Sequence, residues 1–187
     1  MEKLKALCVV AHPDDCVIFA RPFIEYADQY EWTILYLTYK DTDARAQEMQ
    51  QYWSQQGVET VFLGYVDDYR DIENQQVSFE EHMARWQLIG YARRYDLLLT
   101  HAQDGDYGHI HHKFVHDAVA SLRGVPAVYF SSSQESNFSY TCQEQLNLDQ
   151  FPLHQAVIAQ FDNINTGYYY IPDLTKNLIK QNAATDT

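Results

Sequence analysis

Two short stretches of this chain concentrate side chains that bind metals and move protons. Ala11-His12-Pro13-Asp14-Asp15-Cys16 places one imidazole and two carboxylates within four residues. Gly108-His109-Ile110-His111-His112, almost a hundred residues later, adds three imidazoles. Histidine and carboxylate are ordinary zinc ligands, at about 2.0–2.2 Å. Pro13 fixes one backbone angle and biases His12 towards an extended conformation, so Asp14 and Asp15 must point in different directions. One carboxylate can then face a metal while the other takes a proton. On a helix, residues three apart share a face; His109 and His112 can converge, and His111 should point away from them. Gly105 and Gly108 give the preceding loop freedom to approach a ligand closely. His101 and His116 are weaker candidates, and His116 reads as a packed or surface histidine.

Each stretch alone has a plainer explanation. An Asp at a strand-to-helix junction often caps the helix, and histidines at a helix start are often only solvated. Together they offer two histidines and a carboxylate, a three-ligand set with an open fourth position of the kind used in hydrolysis. Such a site also needs a general base and a group to stabilise an oxyanion. One aspartate and one histidine are left over for those tasks.

The rest of the chain must bring the two stretches together. Residues 4–10 form a continuous apolar run, as expected of a strand buried on both faces. Residues 17–30 look helical, with Pro22 marking a kink or restart. Further strands are expected at 33–38, at 59–63 with Gly64 ending it, at 96–100 and at 126–130. Helices are expected at 43–56, with Asp43 as N-cap and Gly57 as stop, from Ser78 to about Arg94 with Glu81 completing a capping box, and from His109 to Leu122. Residues 65–77 and 131–149 read as loops, 150–161 as a last helix, and 174–187 as an exposed tail after a domain spanning 1–173. The alternation predicts an α/β fold, a single Rossmann-like domain whose mainly parallel sheet is flanked by helices. Both histidine stretches follow strands, where sites form in such sheets.

Composition narrows the classes. The 187 residues are 46% apolar and 21% charged, which suits one packed domain. The formal net charge of −13 argues against nucleic acid and anionic membranes as partners. No segment is long and apolar enough for a membrane span, and the N-terminal apolar run is too short for a signal peptide. Three cysteines, Cys8, Cys16 and Cys142, show no paired spacing, so a reducing cytoplasm is expected. The fifteen tyrosines suit sugar contacts or subunit interfaces, which leaves a homo-oligomer open. A nucleotide-binding domain is disfavoured, because no glycine-rich turn follows the first strand.

Ala11-His12-Pro13-Asp14-Asp15, followed by Tyr107-Gly108-His109-x-x-His112, resembles the PIG-L/LmbE-like zinc-dependent de-N-acetylases. The likeness runs from about residue 4 to 130 and includes Arg45 and the Gly57-Val58 to Leu63-Gly64 stretch. It implies a zinc hydrolase that removes the N-acetyl group from an N-acetylglucosaminyl glycan or glycoconjugate. It implies Zn2+ ligands at His12, Asp15 and His112, a general base at Asp14, a histidine at His109 that stabilises the oxyanion and is a candidate to protonate the leaving amine, and Arg45 beside the substrate. Two positions depart from the pattern. Cys16 replaces a usual Glu, and reads as a soft ligand, a redox-sensitive thiol or, preferably, a small apolar residue opening the helix. His111 replaces an Asp that in many members bonds the oxyanion histidine, with Asp104 or Asp106 as replacement partners. An amidase acting on a non-sugar substrate and a metal-binding member with lost catalysis are the alternative readings.

Overall fold

The computed structural model describes residues 3–131, 138–140, 147–161 and 166–170. The proposed domain end at 173 and the tail 174–187 lie outside the described residues.

Five strands run parallel: β1 (Lys5–Val10), β2 (Glu31–Thr38), β3 (Glu59–Tyr65), β4 (Leu97–Thr100) and β5 (Ala127–Ser131). Two short strands, β6 (Phe138–Tyr140) and β7 (Thr166–Tyr170), extend the sheet antiparallel beyond β5, giving the order β3-β2-β1-β4-β5-β7-β6. The mainly parallel α/β architecture agrees with the strand and helix periods of the sequence. The antiparallel edge was not anticipated. The Tyr168 hydroxyl in β7 donates to the Phe19 carbonyl at 2.8 Å, tying this edge to the segment after the first histidine stretch.

Alternation along the central strands divides the core into two layers. Ala6, Cys8, Val10, Ile34 and Tyr36 face one side, packed with Phe19, Phe23, Met49, Trp53 and Phe130. Leu7, Val9, Leu35 and Leu37 face the other, packed with Ala84, Leu88, Phe114 and Val115. The first layer is covered by α1 (Arg21–Tyr26) and α2 (Ala44–Gln55), the second by α4 (Glu81–Ala92) and α5 (Ile110–Ala120). Burying each large apolar side chain contributes about 1.5–3 kcal/mol, so the two layers fix the central strands firmly. The chain leaves β1 towards β2 on one side and returns as β4 on the other. The reversal puts the carboxyl ends of β1 and β4 next to each other, where open α/β sheets form their binding crevice.

Several local expectations change. The segment after residue 15 is a π-helical turn, Cys16–Ala20, with Arg21 N–H reaching back to Cys16 O; α1 then starts afresh with Pro22 in its first turn, where the missing N–H costs little. β3 continues through Gly64, whose φ of 81° accompanies a register shift between Tyr36 and Thr38. Residues 65–77 contain a helix, α3 (Tyr69–Asn74), capped by Asp68 accepting from Arg70 N–H. Ser78 does not cap α4. Its N–H and hydroxyl both donate to Asp71 of α3, and Glu80 occupies the N-cap position. Asp43 sits at the N-cap of α2, but its carboxylate accepts from Lys40 N–H. The last helix is broken into 3-10 turns at Leu148–Gln150 and Ala159–Phe161 around a short α6 (Gln155–Ile158). Pro152 after the first turn prevents one continuous helix. No helix of the described residues is long and apolar enough to cross a membrane.

Cys16 belongs to the core. It is fully buried; its thiol donates to Pro13 O at 3.0 Å, accepts from Trp53 Nε1–H at 2.9 Å, and lies 2.9 Å from the Tyr36 hydroxyl. Burial pushes the thiol up to about 12, against the opposing hydrogen bonds of Tyr36 and Trp53. Of the three readings of this residue, the packed small residue fits. Cys16 and the equally buried Cys8 should resist alkylation in native protein and react once it is denatured, as mapped by mass spectrometry. Cys16→Ala would strand the Trp53 donor and cost about 1–3 kcal/mol in denaturant unfolding.

Candidate metal centre

Residues 11–15 leave the end of β1 and residues 101–109 leave the end of β4, so the strand pairing Ala6–Val9 with Leu97–Thr100 sets the two stretches side by side. Thr100 and Thr38 reinforce this end by donating to Val9 O and Ala11 O at 2.9 and 2.7 Å. Three side-chain atoms then meet. His12 Nδ1 lies 3.1 Å from Asp15 Oδ2 and 3.2 Å from His112 Nε2, and His112 Nε2 lies 3.3 Å from Asp15 Oδ2. Ligands at about 2.0 Å around a tetrahedral zinc ion stand about 3.3 Å apart, so this triangle has the edge length of one face of such a site. All three residues are buried.

Hydrogen bonds on the far sides determine which ring atoms are available. His112 Nδ1 lies 2.8 Å from Asp106 Oδ2, so Nδ1 carries the proton and Nε2 presents its lone pair. Asp15 Oδ2 also accepts from the backbone N–H of His12 at 2.7 Å, which aims its carboxylate. Burial favours the neutral forms of His12 and Asp15, but their mutual attraction prevails. His12 is raised to about 10, chiefly by Asp15 and Asp67, and Asp15 is held well below the usual carboxylate range by His112 and His12. A proton and a divalent ion thus compete for the same atoms, a donor set that suits a metal.

Three neighbouring combinations also bring ligand atoms together: His12 Nε2, His111 Nδ1 and Asp67 Oδ1 stand 3.1, 3.5 and 3.7 Å apart on the outer side of His12, a looser triangle, and the other two are worse donors. His12, His109 and His112 also bring ligand atoms within 4.8 Å of one another. However, His109 Nδ1 accepts the backbone N–H of His111 at 3.2 Å, leaving the neutral ring its proton on Nε2. Asp15, His101 and His112 form another such group. There, His101 Nε2 accepts from Ala11 N–H at 3.0 Å and its Nδ1 donates to Asp106 at 2.5 Å, so no lone pair remains.

The other residues singled out in the sequence surround this triangle. Asp14, His109 and Arg45 line an open cavity of about 280 Å³ with His12, Asp15, Asp67, Tyr69, Ile72 and Tyr107. Burial and the nearby Asp15 charge raise Asp14, while Arg45 Nη2 donates to its Oδ1 at 3.3 Å. Arg45 Nη1 also donates to the Tyr39 hydroxyl at 2.6 Å. His109 is the N-cap of α5; burial and the neighbouring histidines push it down to about 3, so it is neutral. His116 packs beneath the site with Nδ1 2.9 Å from His101 O, as expected of a structural histidine.

Three expectations are corrected or extended. His111 does not point away. Its Nδ1 lies 3.1 Å from His12 Nε2, and its Nε2 lies 2.8 Å from Asp71. The reason is that α5 begins at Ile110, so His111 and His112 both occupy its first turn, whose side chains lean towards the N-terminal end where the site lies. Asp106 is a partner within the site, but of His112 and His101 and not of His109. Its own φ of 65°, next to Gly105 at 75°, turns the carboxylate inward. A Cβ on Gly105 would stand 2.6 Å from His109 O, which explains the glycine there. His101, Asp67 and Asp71 matter more than the sequence suggested. Asp67 Oδ1 lies 3.5 Å from His12 Nε2, and against partial desolvation of this exposed residue His12 draws Asp67 down to about 2. His101 sat in the loop after a strand, which was a usable signal; Asp67 and Asp71 carried none beyond their acidity.

The PIG-L family model, described as GlcNAc-PI de-N-acetylase, matches residues 7–122 and so spans both histidine stretches. No curated protein matches the chain. A similar solved structure is GalB, the 4-carboxy-2-hydroxymuconate hydratase of Pseudomonas putida, with 14% identity, a TM-score of 0.53, and coverage of 97% of this chain and 84% of that one. At that identity the likeness concerns the fold. The C-terminal domain of a Pyrococcus furiosus hydrogenase overlaps less, with 19% identity, a TM-score of 0.38, and coverage of 69% of this chain and 93% of that one. The length of the family match and the Rossmann-like fold it accompanies place this chain in the PIG-L family.

Proposed function

We propose that this protein is a zinc-dependent hydrolase that removes an N-acetyl group from an N-acetylglucosaminyl compound. The observation that carries this reading is the triangle of His12 Nδ1, Asp15 Oδ2 and His112 Nε2 at 3.1–3.3 Å, with Asp14 and His109 beside it in one open cavity. The PIG-L match supports a metal-dependent deacetylase in general terms. Zinc is the better fit than magnesium or calcium, because two of the three ligand atoms are imidazole nitrogens.

His12, Asp15 and His112 would hold the ion. When bound, it supplies Lewis-acid polarisation of the amide carbonyl and a water of lowered pKa. Asp14, raised by burial, takes the water's proton at a carboxylate oxygen as that water attacks the acetyl carbon. Neutral His109 donates its Nε2–H to the carbonyl oxygen as negative charge develops there. Asp14 then returns the proton to the departing nitrogen, so that acetate and a free amine leave. A neutral His109 held at about 3 is suited to donating a hydrogen bond and not to supplying that proton. Arg45, bonded to Asp14 and Tyr39, keeps the base in place and faces the substrate in the cavity.

The mouth of the cavity fits a sugar. Tyr69, Ile72 and Tyr107 line it while remaining 70%, 45% and 59% exposed, and such faces stack on pyranose rings. Asp14, Asp15 and Asp67 outnumber Arg45 there, which suits a neutral substrate and a cationic amine product. A reducing compartment belongs to the same reading, since Cys8 and Cys16 are free thiols.

Acetate release from a panel of N-acetylglucosaminyl compounds, assayed beside non-sugar N-acetyl amides, tests this. The sugar substrates should turn over, and Asp14→Asn should keep its zinc while losing about 10²–10⁴-fold in kcat. Turnover confined to the non-sugar amides, or unchanged in Asp14→Asn, would contradict the assignment.

A further inference from the structure

His111 occupies a position that the family pattern fills differently, and nothing in the proposed reaction uses it. It is fully buried, as is Asp71 to within 3%. Asp71 Oδ2 accepts from the backbone N–H of Ser78 at 3.0 Å and from the Ser78 hydroxyl at 3.1 Å, so the carboxylate is pinned at the end of α3. His111 Nε2 lies 2.8 Å from that same oxygen. A carboxylate only accepts, so His111 carries its proton on Nε2 and presents a lone pair at Nδ1. That lone pair faces His12 Nε2 at 3.1 Å. His12 must therefore be the donor, with its proton on Nε2. The consequence falls on the other side of the same ring: the proton that a divalent ion displaces is the one on Nδ1, which aims into the triangle with Asp15 and His112. Asp67 Oδ1, 3.5 Å from His12 Nε2, is also an acceptor and favours the same tautomer.

We propose that Asp71 and His111 form a positioning relay that fixes His12 as its Nε2–H tautomer and so delivers the Nδ1 lone pair to the metal. The inference rests on the metal-site reading above. The relay does for His12 what Asp106 does for His112, with one imidazole interposed between carboxylate and ligand. Partners of this kind orient metal-binding histidines and raise their basicity, and their loss typically costs about 10–100-fold in metal affinity. The arrangement assigns a task to α3 and to Ser78: they hold the carboxylate at the start of the relay.

The test is zinc affinity by competition with a chromophoric chelator, with tautomers read by long-range 1H–15N NMR of the histidine rings in zinc-loaded protein. The wild type should bind one zinc, with His12 and His111 both protonated at Nε2. His111→Leu should weaken zinc binding about 10–100-fold while its thermal unfolding stays cooperative. His111→Gln should recover most of the affinity, because one amide accepts from His12 and donates to Asp71. Wild-type affinity in a folded His111→Leu protein would overturn the relay and leave the metal site standing. So would a His12 ring without a proton on Nε2, or a second zinc held by His111 Nδ1. A wild-type protein that binds no zinc would overturn both.

Discussion

Three buried side-chain atoms, from His12, Asp15 and His112, are held 3.1–3.3 Å apart, and much of the structure serves that contact. Lone pairs brought so close repel one another unless a positive charge lies between or beside them. The folded chain therefore needs a reason to keep them together. Two hydrogen-bonded supports supply it: Asp106 behind His112, and Asp71 through His111 behind His12. Asp106 is itself shared with His101, whose other ring nitrogen takes the Ala11 N–H, so the two loops are locked by one carboxylate. Buried polar networks of this kind are costly when half satisfied, and here both ring nitrogens of His101 and of His111 have defined partners.

The fold makes the contact possible by topology. Side chains about a hundred residues apart in sequence become neighbours because β1 and β4 pair directly at the point where the winding of the sheet reverses. The two apolar layers on either side of β1 and β2 hold the carboxyl ends of these strands rigid. Cys16 contributes from below. Its bonds to Pro13, Trp53 and Tyr36 anchor the turn that follows Asp15 to the core, so a residue that looked like a chemical oddity in the sequence serves as packing.

Much of this was legible in the sequence. The parallel α/β architecture follows from the alternation of apolar strands with helix-forming segments, and the two histidine stretches are visible by residue type alone. The antiparallel strands β6 and β7 escaped because short edge segments carry little periodic signal. The orientation of His111 was misread because ideal helical phase says nothing about where a helix starts, and a first turn reaches beyond its own end. Asp71 and Asp67 escaped for a different reason. An acidic residue in a polar stretch reads as solvated, and only the tertiary structure shows α3 folded back so that both carboxylates meet histidines. What the sequence concealed is the supporting network, which depends on which distant groups share a buried space.

We propose that His12, Asp15 and His112 converge on a single divalent ion. Elemental analysis of protein purified in the presence of zinc, combined with X-ray absorption at the zinc edge, tests it most directly. One zinc per chain is expected, bound by two imidazole nitrogens and carboxylate oxygen and lost when His112 is replaced by Ala. A protein without stoichiometric metal, or an ion that survives His112→Ala because it sits among His12, Asp67 and His111, would contradict it.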